Sequence, residues 1–372
     1  MNKKILIIHD RFQYRGGGER LCLIMANGLG ADILTEYWDE ENSFAKSEAP
    51  AKITTLGKQI KIRGLGYFSA QWRFFWKTSR VLGIKDYDVI IFSGNNCLSA
   101  AWRCKKEQKK IMYCHTPVRY AYDLKDYYYQ KYPLYAKPIF LFFVYLACVI
   151  YKWGIKKMDV VMANSRNVQN RLQKFVNIKS TVVYPPIDTY KFNFKKQFSQ
   201  SKLAGQEDYY LSFARLVDLK RVKDIVRAFQ QMPNKKLVVA SGGPEFDKIK
   251  EMSQDYKNIE ILGFVSDELL GKLVGNCIAN IYIPLNEDFG MTPLEAAAVG
   301  KPTIGVDSGG LKETIIHEQT GYLILEKYEL GDIINAVEWL DTGRAIQMRE
   351  SCIQQAEKFS AEKFIKKIKN NI

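Results

Sequence analysis

Two glutamates stand eight residues apart beside a glycine turn and the predicted start of a short helix. They are Glu287 and Glu295, within the stretch EDFGMTPLEAAAVGKP. Thr292 and Pro293 predict the helix start, since a hydroxyl can cap free backbone amides and proline suits the first helical position. Gly300 predicts the end of the helix. The pattern therefore places a turn, a helix start and two carboxylates close together.

The predicted helix start offers backbone amides, and the neighbouring glutamates offer carboxylates. The amides of Gly290, Met291 and Thr292 would hold phosphate oxygens, helped by the helix dipole. Carboxylates repel phosphate, but they accept hydrogen bonds from sugar hydroxyls. The stretch therefore suits a nucleotide-sugar, which carries both kinds of group. The alternative is a loop with two solvated glutamates before an ordinary helix.

Two cations lie between a predicted strand and a predicted helix in YYLSFARLVDLKRVKDIVRAF. Arg215 follows the strand, and Lys220 comes just before the helix. Arginine can bind a diphosphate through two parallel hydrogen bonds, and lysine binds it as a point charge. Because parallel sheets bind ligands at the carboxyl ends of their strands, we predict a diphosphate site here. A solvated basic loop is the alternative.

The first third of the chain contains a second candidate site. A short apolar strand, KKILIIHD, is followed by three glycines and a helical pattern, and glycines let backbone amides approach a phosphate closely. Gly17 and Gly18 are the candidates, although a plain tight turn is equally compatible with the sequence. His115 ends another predicted strand, where open parallel sheets place their ligands. A structural loop histidine is the alternative for that residue.

The combined motifs resemble those of a known enzyme family. E-x₇-E enclosing FG-x-T-x-x-E, followed by GKP and GG-x-x-E, is similar to the signature of retaining glycosyltransferases of family 4, which have the GT-B fold. The glycine loop and the Arg215-x₄-Lys220 element resemble further motifs of that family. CHTPVRYAYDL, which contains His115, resembles a segment of bacterial O-antigen glycosyltransferases, many of them mannosyltransferases. The resemblance extends over most of the chain.

The resemblance implies a role for each matching residue. Glu287 and His115 are the expected catalytic residues, and Glu287 is also expected to orient the sugar together with Phe289 and Gly290. Glu295 is expected to bind the ribose, and Phe264 and Val265 to border the base. The donor diphosphate is expected to be bound by Arg215, Lys220, Gly17, Gly18, Met291 and Thr292.

The resemblance also implies a reaction and its reactants. A hexose, with mannose favoured, is transferred with retention from a nucleoside-diphosphate sugar, GDP-mannose first and a UDP-hexose second. No D-x-D motif stands at a predicted strand end, so we expect neither a metal ion nor another cofactor. A phosphorylase-like enzyme with pyridoxal phosphate would need a longer chain. A non-catalytic nucleotide-sugar-binding protein would not need the glycine loop and His115.

The length and the order of predicted elements indicate an α/β protein of two domains. At 372 residues, with about 150 per domain, the chain predicts two doubly wound Rossmann-like domains facing across a cleft, the GT-B arrangement. We expect an acceptor-binding, membrane-facing domain over 1–190 and a nucleotide-sugar-binding domain over 200–350. A C-terminal helical segment, 351–372, is expected to cross back to the first domain. Seven scattered cysteines without a C-x-x-C pair indicate reduced thiols in the cytoplasm.

Basic charge is concentrated in the first half. Residues 1–200 hold 33 Lys and Arg against 15 Asp and Glu, so an anionic partner is expected there. Residues 56–80 interleave cations with aromatic rings, which suits a bilayer interface. A core helix with a solvated basic face, or a site for single-stranded nucleic acid, is the alternative; no RNA-binding motif accompanies it, so we expect no nucleic acid partner. The residues assigned to the acceptor and membrane are Arg63, Trp72, Arg73, Trp76, Lys77 and Arg119.

A 14-residue apolar run, 138–151, follows a tyrosine-rich loop. A transmembrane helix needs about 20 residues, so we expect either a buried helix or one that dips into a single leaflet. Lysines on both sides suit anionic headgroups. Together these features predict a bacterial cytoplasmic enzyme on the inner membrane surface, acting on a lipid-pyrophosphate-linked saccharide in O-antigen or surface polysaccharide assembly.

Overall fold

The protein folds into two compact units, and the chain returns to the first of them at its end. In the computed structural model, unit 1 comprises residues 1–185 and 362–372, and unit 2 comprises residues 186–361. The structure describes residues 3–49, 52–58, 66–81, 83–187 and 209–372. The predicted two-domain α/β organisation is confirmed, with two differences at the edges. The first domain ends at residue 185, not 190, and the returning segment begins at residue 362, not 351.

Unit 1 is built on a parallel sheet of seven described strands. Apolar runs such as Ile5–His9 form its central strands, and burial of both faces explains why they lack a polar alternation. The strand order is β3-β2-β1-β4-β5-β6-β7, so the order reverses between β1 and β4. The strands are β1 Ile5–His9, β2 Asp32–Thr35, β3 Ile53–Thr55, β4 Val89–Ser93, β5 Lys109–Cys114, β6 Val160–Ala163 and β7 Thr181–Val182.

Helices cover both faces of this sheet. One core cluster joins the strands to α1 and to the returning helix, and the other joins them to α2 and α4. Ser165 caps the start of helix α5, where its hydroxyl accepts a hydrogen bond from the Val168 amide at 3.0 Å. The helices are α1 Gly17–Leu29, α2 Gly66–Val81, α3 Lys125–Gln130, α4 Lys137–Ile155 and α5 Arg166–Val176, with 3-10 helices at Lys46–Glu48, Ile84–Asp86, Asn96–Arg103, Arg119–Ala121 and Leu134–Ala136.

The apolar helix α4 is longer than the 14-residue run indicated. The segment Leu134–Ile155 is 22 residues long with a mean hydropathy of 1.9, which is long and apolar enough to cross a membrane by length and composition alone. One face packs into unit 1 through Phe140, Val144, Ala147 and Tyr151. The other face is exposed, so the expected burial holds for one face of the helix only. A helix that forms part of a domain core on one side is not available to span a bilayer.

Unit 2 repeats the architecture with a parallel sheet of six described strands. Its order is β10-β9-β8-β11-β12-β13, so the order reverses between β8 and β11. The strands are β8 Tyr209–Ser212, β9 Lys236–Val239, β10 Ile259–Ile261, β11 Asn280–Tyr282, β12 Thr303–Val306 and β13 Gly321–Ile324. The helices are α6 Val222–Gln230, α7 Phe246–Ser253, α8 Asp267–Asn276, α9 Met291–Ala298, α10 Leu311–Thr314, α11 Leu330–Trp339, α12 Thr342–Gln347 and α13 Arg349–Glu357, with a 3-10 helix at Asp218–Lys220.

The last helix, α14 (Ala361–Lys369), attaches to unit 1. Phe364 is buried in the unit 1 core and contacts Tyr113 edge to face, and Ile365 lies against Gly28. The Lys3 ammonium donates to the carbonyl of Ile372 at 2.8 Å. The predicted return of the C-terminal helix to the first domain is therefore confirmed.

Candidate functional site

A cavity opens at the carboxyl ends of the central strands of unit 1. It lies where the strand order reverses between β1 and β4, which is where open parallel sheets bind ligands. Its volume is about 260 Å³. The residues that line it are His9, Asp10, Arg11, Glu19, Ser93, Gly94, Asn95, His115 and Thr116.

Two buried histidines in this cavity are bridged by one serine hydroxyl. Ser93 Oγ lies 2.9 Å from His115 Nε2 and 3.3 Å from His9 Nδ1. A hydroxyl carries one hydrogen and two lone pairs, so Ser93 can donate to only one of the two rings and can accept an N–H from either. When Ser93 donates to one ring, the other ring must present its N–H to the hydroxyl. The remaining ring nitrogen of His115, Nδ1, is a donor when Ser93 donates to His115 and an acceptor in the opposite arrangement.

Burial keeps both rings neutral. Desolvation lowers the pKa of His115 to about 4. Desolvation, and then repulsion from His115, lowers the pKa of His9 to about 3. At neutral pH each imidazole therefore carries one N–H, and His115 can act as a neutral hydrogen-bonding group. The structure thus brings the predicted residue His115 into a cavity, with a partner that orients it.

The glycine loop brings a helix start next to these histidines. Helix α1 begins at Gly17, with Gly16 at its N-cap position, so Gly17 and Gly18 both lie in its first turn. A side chain on Gly18 would come within 4.0 Å of the Cε1 atoms of both His9 and His115. The helix start therefore approaches the cavity closely, as an anion site requires.

Asp10 fixes the backbone on the opposite side of the cavity. Its carboxylate accepts hydrogen bonds from the amides of Asn95, Asn96 and Cys97 at 2.8 to 3.0 Å. Burial raises the pKa of Asp10, while Arg11 and the amides act in the opposite direction. The carboxylate thus caps the 3-10 helix Asn96–Arg103 and links β1 to the segment after β4.

A second polar cluster lies at the corresponding reversal point of unit 2. The Lys220 ammonium donates to Glu287 Oε2 at 2.7 Å and also to the hydroxyl of Tyr282. The Tyr282 hydroxyl donates to the same Oε2 atom at 2.9 Å. Tyr282 ends β11, Lys220 follows β8, and Glu287 lies in the loop after β11. The two residues predicted to bind diphosphate and sugar are therefore in direct contact.

The environment keeps this cluster charged. Burial lowers the pKa of Lys220, but the Glu287 carboxylate and Tyr282 outweigh this effect, and the net change is upward. Burial, and then the same carboxylate, raises the pKa of Tyr282. Lysine has three N–H donors, and the contacts within the cluster use two of them. The third can serve a phosphate oxygen while the Glu287 contact is kept.

Helix α9 begins beside this cluster, but its cap differs from the prediction. The helix starts at Met291 with Gly290 as the N-cap residue, in a left-handed conformation with φ of 95°. Thr292 is the second helical residue and Pro293 the third, so Thr292 is not the cap. Glycine has no side chain that could cap the first-turn amides of Met291 and Thr292. Those amides are therefore left for another acceptor, as an anion site requires.

The remaining residues of the signature have different degrees of exposure. The Phe289 side chain is buried and contacts Phe359 edge to face, so it can take part in sugar binding only through its backbone. Glu295 is half-buried on the first turns of α9. Arg215 is exposed on the segment after β8. Phe264 is 82% exposed, and its ring lies over Gly242, three residues after the end of β9, while Val265 is half-buried.

The glycine pair after β12 supports the loop that carries Glu287. A side chain on Gly309 would lie 2.4 Å from the carbonyl oxygen of Glu287, and one on Gly310 would lie 2.3 Å from the Cα of Phe289. The Gly310 amide donates to the Glu287 carbonyl at 2.9 Å. The two glycines of the GG-x-x-E motif therefore allow a close approach between two backbone segments of the protein itself.

Gly310→Ala should disturb the site without removing any polar group from it. The added methyl would overlap backbone atoms of Asp288 and Phe289, which cannot rotate away, so we expect a loss of about 1–3 kcal/mol in unfolding free energy. Transfer activity should fall with it, because the loop that holds Glu287 must shift. Gly275→Ala is the control: it lies in helix α8 with open space around it and should be neutral or stabilising by up to about 1 kcal/mol. Wild-type activity of Gly310→Ala would contradict this role.

The residues predicted to face the membrane divide into two groups. Trp72 and Trp76 are exposed on α2, as expected. The Arg73 guanidinium instead donates to the Lys58 carbonyl at 2.7 Å and lies 3.5 Å from Glu36, with little exposure, so assigning it to the membrane surface was wrong. Lys77 donates to the Leu56 carbonyl at 3.0 Å. Both cations hold α2 to the segment after β3.

Two further residues assigned to the acceptor side have different outcomes. Arg119 donates to Asp123 at 3.0 Å, and Arg171 lies 3.3 Å from the same carboxylate, so Arg119 belongs to a half-buried ion cluster. A role in acceptor binding stays a prediction. Arg63 lies outside the described residues. Across those described ranges, no group of three or more His, Cys, Asp and Glu could hold a metal ion.

Comparison with known proteins identifies the family of the chain. A family model described as Glycosyltransferase Family 4 matches residues 15–191, and one described as Glycosyl transferases group 1 matches residues 193–359. The chain belongs to the family 4 glycosyltransferases. Its two parallel-sheet domains have the GT-B fold, which confirms the fold expected from the motifs.

Several relatives of this glycosyltransferase are known. It is 27% identical to the human alpha-1,3/1,6-mannosyltransferase ALG2, over 83% of this chain and 80% of that protein. It is 29% identical to N-acetyl-alpha-D-glucosaminyl L-malate synthase of Bacillus anthracis, over 58% of this chain and 59% of that protein. Among solved structures, HepE of Anabaena in complex with UDP and glucose has a TM-score of 0.73 at 18% identity, over 99% of both chains.

The sequence did not identify four residues of these two clusters. His9, Ser93 and Asp10 surround the unit 1 cavity, and Tyr282 completes the unit 2 cluster. His9, Ser93 and Tyr282 each end a strand, and that position was the signal used to select His115. Applying it to every polar residue at a strand end would have found them. Asp10 follows directly after β1 and could have been found in the same way.

Proposed function

We propose that this glycosyltransferase moves a hexose, with retention, from a nucleoside-diphosphate sugar to a lipid-linked acceptor. The observation that supports it most is the Lys220–Glu287–Tyr282 cluster beside the start of α9. A cation and helix amides suit the diphosphate, and a carboxylate suits the sugar hydroxyls. These groups lie together at the carboxyl ends of the strands in unit 2, where the strand order reverses.

In this proposal the chain stabilises the leaving nucleoside diphosphate without a cofactor. Lys220, Arg215 and the amides of Met291 and Thr292 oppose the negative charge that develops as the glycosidic bond breaks. Glu287 orients the sugar and Glu295 the ribose, and Phe264 borders the base. The departing phosphate accepts the acceptor's proton on the same face of the sugar. The two glutamates are therefore not an acid and base pair of the glycosidase type.

We further propose that the sugar is mannose and the donor GDP-mannose. Two observations support this choice: the CHTPVRYAYDL segment and the similarity to mannosyltransferases such as human ALG2. His115, neutral and oriented by Ser93, would donate to or accept from a hydroxyl of the sugar. A UDP-hexose is the competing donor.

The proposed acceptor is a lipid-pyrophosphate-linked saccharide at the inner surface of a bacterial membrane, in O-antigen or surface polysaccharide assembly. The excess of basic residues in the first half and the exposed tryptophans of α2 support a position at an anionic bilayer. The enzyme would then be cytoplasmic and peripherally bound.

A thermal-shift panel of GDP-, UDP- and ADP-sugars tests the donor and the site together. We expect GDP-mannose to raise the melting temperature most, since a ligand at a hundred times its Kd stabilises the native state by about 2.7 kcal/mol. If a UDP-hexose raises the melting temperature more than GDP-mannose does, the UDP-hexose is the donor. No shift with any nucleotide-sugar, in a folded sample, would contradict the proposed site.

A further inference from the structure

A groove of aromatic side chains opens on the surface of unit 1, away from the polar cavity. It lies between α2 and α4, and the 3-10 helix Asn96–Arg103 forms its base. Its volume of about 560 Å³ lies within the range of roughly 300–1,000 Å³ typical of small-molecule sites. The lining residues are Phe68, Gln71, Trp72, Phe75, Trp76, Ser99, Trp102, Ile150 and Trp153.

The groove offers its occupant almost no polar group. Apart from the indole N–H groups of its tryptophans, the polar residues of its lining are Gln71 and Ser99, and each of these two is already engaged. The Gln71 amide donates to the Asn95 carbonyl at 2.9 Å and accepts from the Ser99 amide at 3.1 Å. The Ser99 hydroxyl donates to the Gln71 carbonyl at 2.6 Å. An occupant would therefore have to be apolar where it lies in the groove.

Four of the six tryptophans of the chain line this one groove. Trp72 and Trp153 are each more than 60% exposed, although a soluble surface normally buries such side chains at least partly. Within the described residues, none of the four indoles makes a hydrogen bond. Tryptophan concentrates at the boundary between headgroups and hydrocarbon, where its ring is in an apolar layer and its N–H is in a wet one.

The groove adjoins the exposed apolar face of α4, because residues of the same helix contribute to both. Ile139, Phe142 and Tyr145 are all exposed on that helix, and Ile150 and Trp153 continue from it into the groove. Such an apolar surface on one helix is the pattern of a segment that lies in the plane of a bilayer interface. The groove would then face hydrocarbon chains.

The charges around the groove favour a lipid with an anionic headgroup. The Arg103 guanidinium stands 4.0 Å from the centre of the Phe75 ring and is held by a 2.6 Å hydrogen bond to the Phe75 carbonyl. Lys152 is adjacent to Trp153, and Lys156 and Lys157 follow within one turn. No acidic residue lines the groove. Cations near a headgroup phosphate add about 1 kcal/mol each to membrane binding.

We propose that this groove binds one acyl chain of an anionic phospholipid of the membrane, with the headgroup phosphate near Arg103. The acyl chain lies against the four tryptophans and Ile150, and α4 rests on the bilayer beside it. The groove thus sets how unit 1 is oriented on the membrane. This inference does not depend on the donor, the sugar or the transfer reaction.

Tryptophan fluorescence tests the proposal directly, because most of the tryptophans lie in the groove. The first probe is lysophosphatidylglycerol with bromine atoms on its single chain, used below its micelle concentration. Bromine quenches tryptophan on contact. We expect saturable quenching of the native protein, and less than a tenth of that affinity with a brominated lysolipid whose headgroup is zwitterionic and so has no net charge. Absence of saturable quenching by the anionic lysolipid would overturn the proposal.

Two glutamate variants on the same helix separate the groove from the rest of α4. Ile150→Glu places a charge inside the groove, and we expect at least tenfold weaker binding of the lysolipid, because a carboxylate is costly in an apolar site. Ile139→Glu is the matched control on the exposed face, and it should bind the lysolipid like the native protein. Equal binding by both variants would overturn the proposal.

A second variant and a second measurement cover the case in which Ile150→Glu folds poorly. Trp153→Gln changes an exposed residue and should also weaken lysolipid binding about tenfold. Sedimentation of the native protein without lipid tests whether another copy of the chain occupies the groove. If the native protein is a dimer, Trp153→Gln dissociates it and neither lipid quenches the fluorescence, then the occupant of the groove is a second copy of the chain and the lipid proposal is overturned. A soluble isoprenyl phosphate serves as a competitor, because the proposed acceptor is lipid-linked; if it displaces the brominated lysolipid at a lower concentration than unbrominated lysophosphatidylglycerol does, the assignment to an acyl chain is overturned.

Discussion

Glu287→Gln should lower the rate of sugar transfer about a hundredfold while leaving nucleotide binding nearly unchanged. The carboxylate of Glu287 is held by Lys220 and Tyr282, so its position is fixed before a donor arrives. In the proposed reaction it orients the sugar, and a misplacement of about 1 Å at a reacting group can cost that factor. The glutamine keeps the shape of the side chain but removes the charge. Initial rates with saturating donor and the Kd of GDP, by calorimetry, measure the two quantities.

A control glutamate distinguishes a role in the reaction from loss of a salt bridge. Glu260 is paired with Lys236 at 3.5 Å on the edge strand β10 of the same unit, away from the cluster. Glu260→Gln should leave both the rate and the Kd unchanged. If Glu287→Gln has full activity, Glu287 has no part in transfer. If its GDP affinity falls as much as its rate, Glu287 acts on the nucleotide and not on the sugar.

The site of unit 2 could be predicted because its residues lie close together in the sequence or at strand ends. The motif that contains Glu287 and Glu295 spans nine residues, and Lys220 follows a strand whose apolar pattern is clear. Their direct contact could not be predicted. It depends on β8 and β11 being neighbours in the sheet, and a neighbour relation between strands is a property of topology that no local pattern records.

The errors have equally specific causes. Thr292 was expected to cap helix α9, because a hydroxyl is a better cap than a glycine in general. The loop before the helix requires a φ of 95° at Gly290, which only glycine adopts at little cost, so the helix begins two residues earlier, at Met291. Arg73 was assigned to the membrane from its neighbours in sequence. The carbonyl of Lys58 and the carboxylate of Glu36, which hold it, are distant in the chain.

The burial of helix α4 could not be predicted from its sequence either, because it depends on residues that are distant in the chain. The run 138–151 was judged from its length alone, which favoured a buried helix and left a helix that dips into one leaflet as the second choice. The spacing of apolar residues within the run does not show which face is buried, since residues on both faces of α4 are apolar. The faces differ in what packs against them: Phe140, Val144 and Ala147 contact the unit 1 core, and the outer face has no such neighbour in the described structure.

Lys220→Met should destabilise the protein and also weaken donor binding. The substitution leaves the Glu287 carboxylate without its cation in a site where the two side chains are only 24% and 17% exposed. Breaking a fully buried ion pair costs about 3–5 kcal/mol, so we expect about 2 kcal/mol here, because solvent screens part of the loss. The affinity for GDP should fall at least tenfold, since a cation on the diphosphate is removed. Urea unfolding and calorimetry measure the two effects.

The double variant Lys220→Met/Glu287→Gln separates stability from function. Removing both charges eliminates the unpaired carboxylate, so most of the lost unfolding free energy should return. Donor binding and transfer should not return, because both functional groups are gone. Lys236→Met, at an ion pair whose side chains are 46% and 51% exposed, is the control and should cost less than about 0.5 kcal/mol. If the double variant is as unstable as Lys220→Met, the unpaired Glu287 carboxylate is not the cause of the lost unfolding free energy. Other contacts of the loops then hold the cluster together.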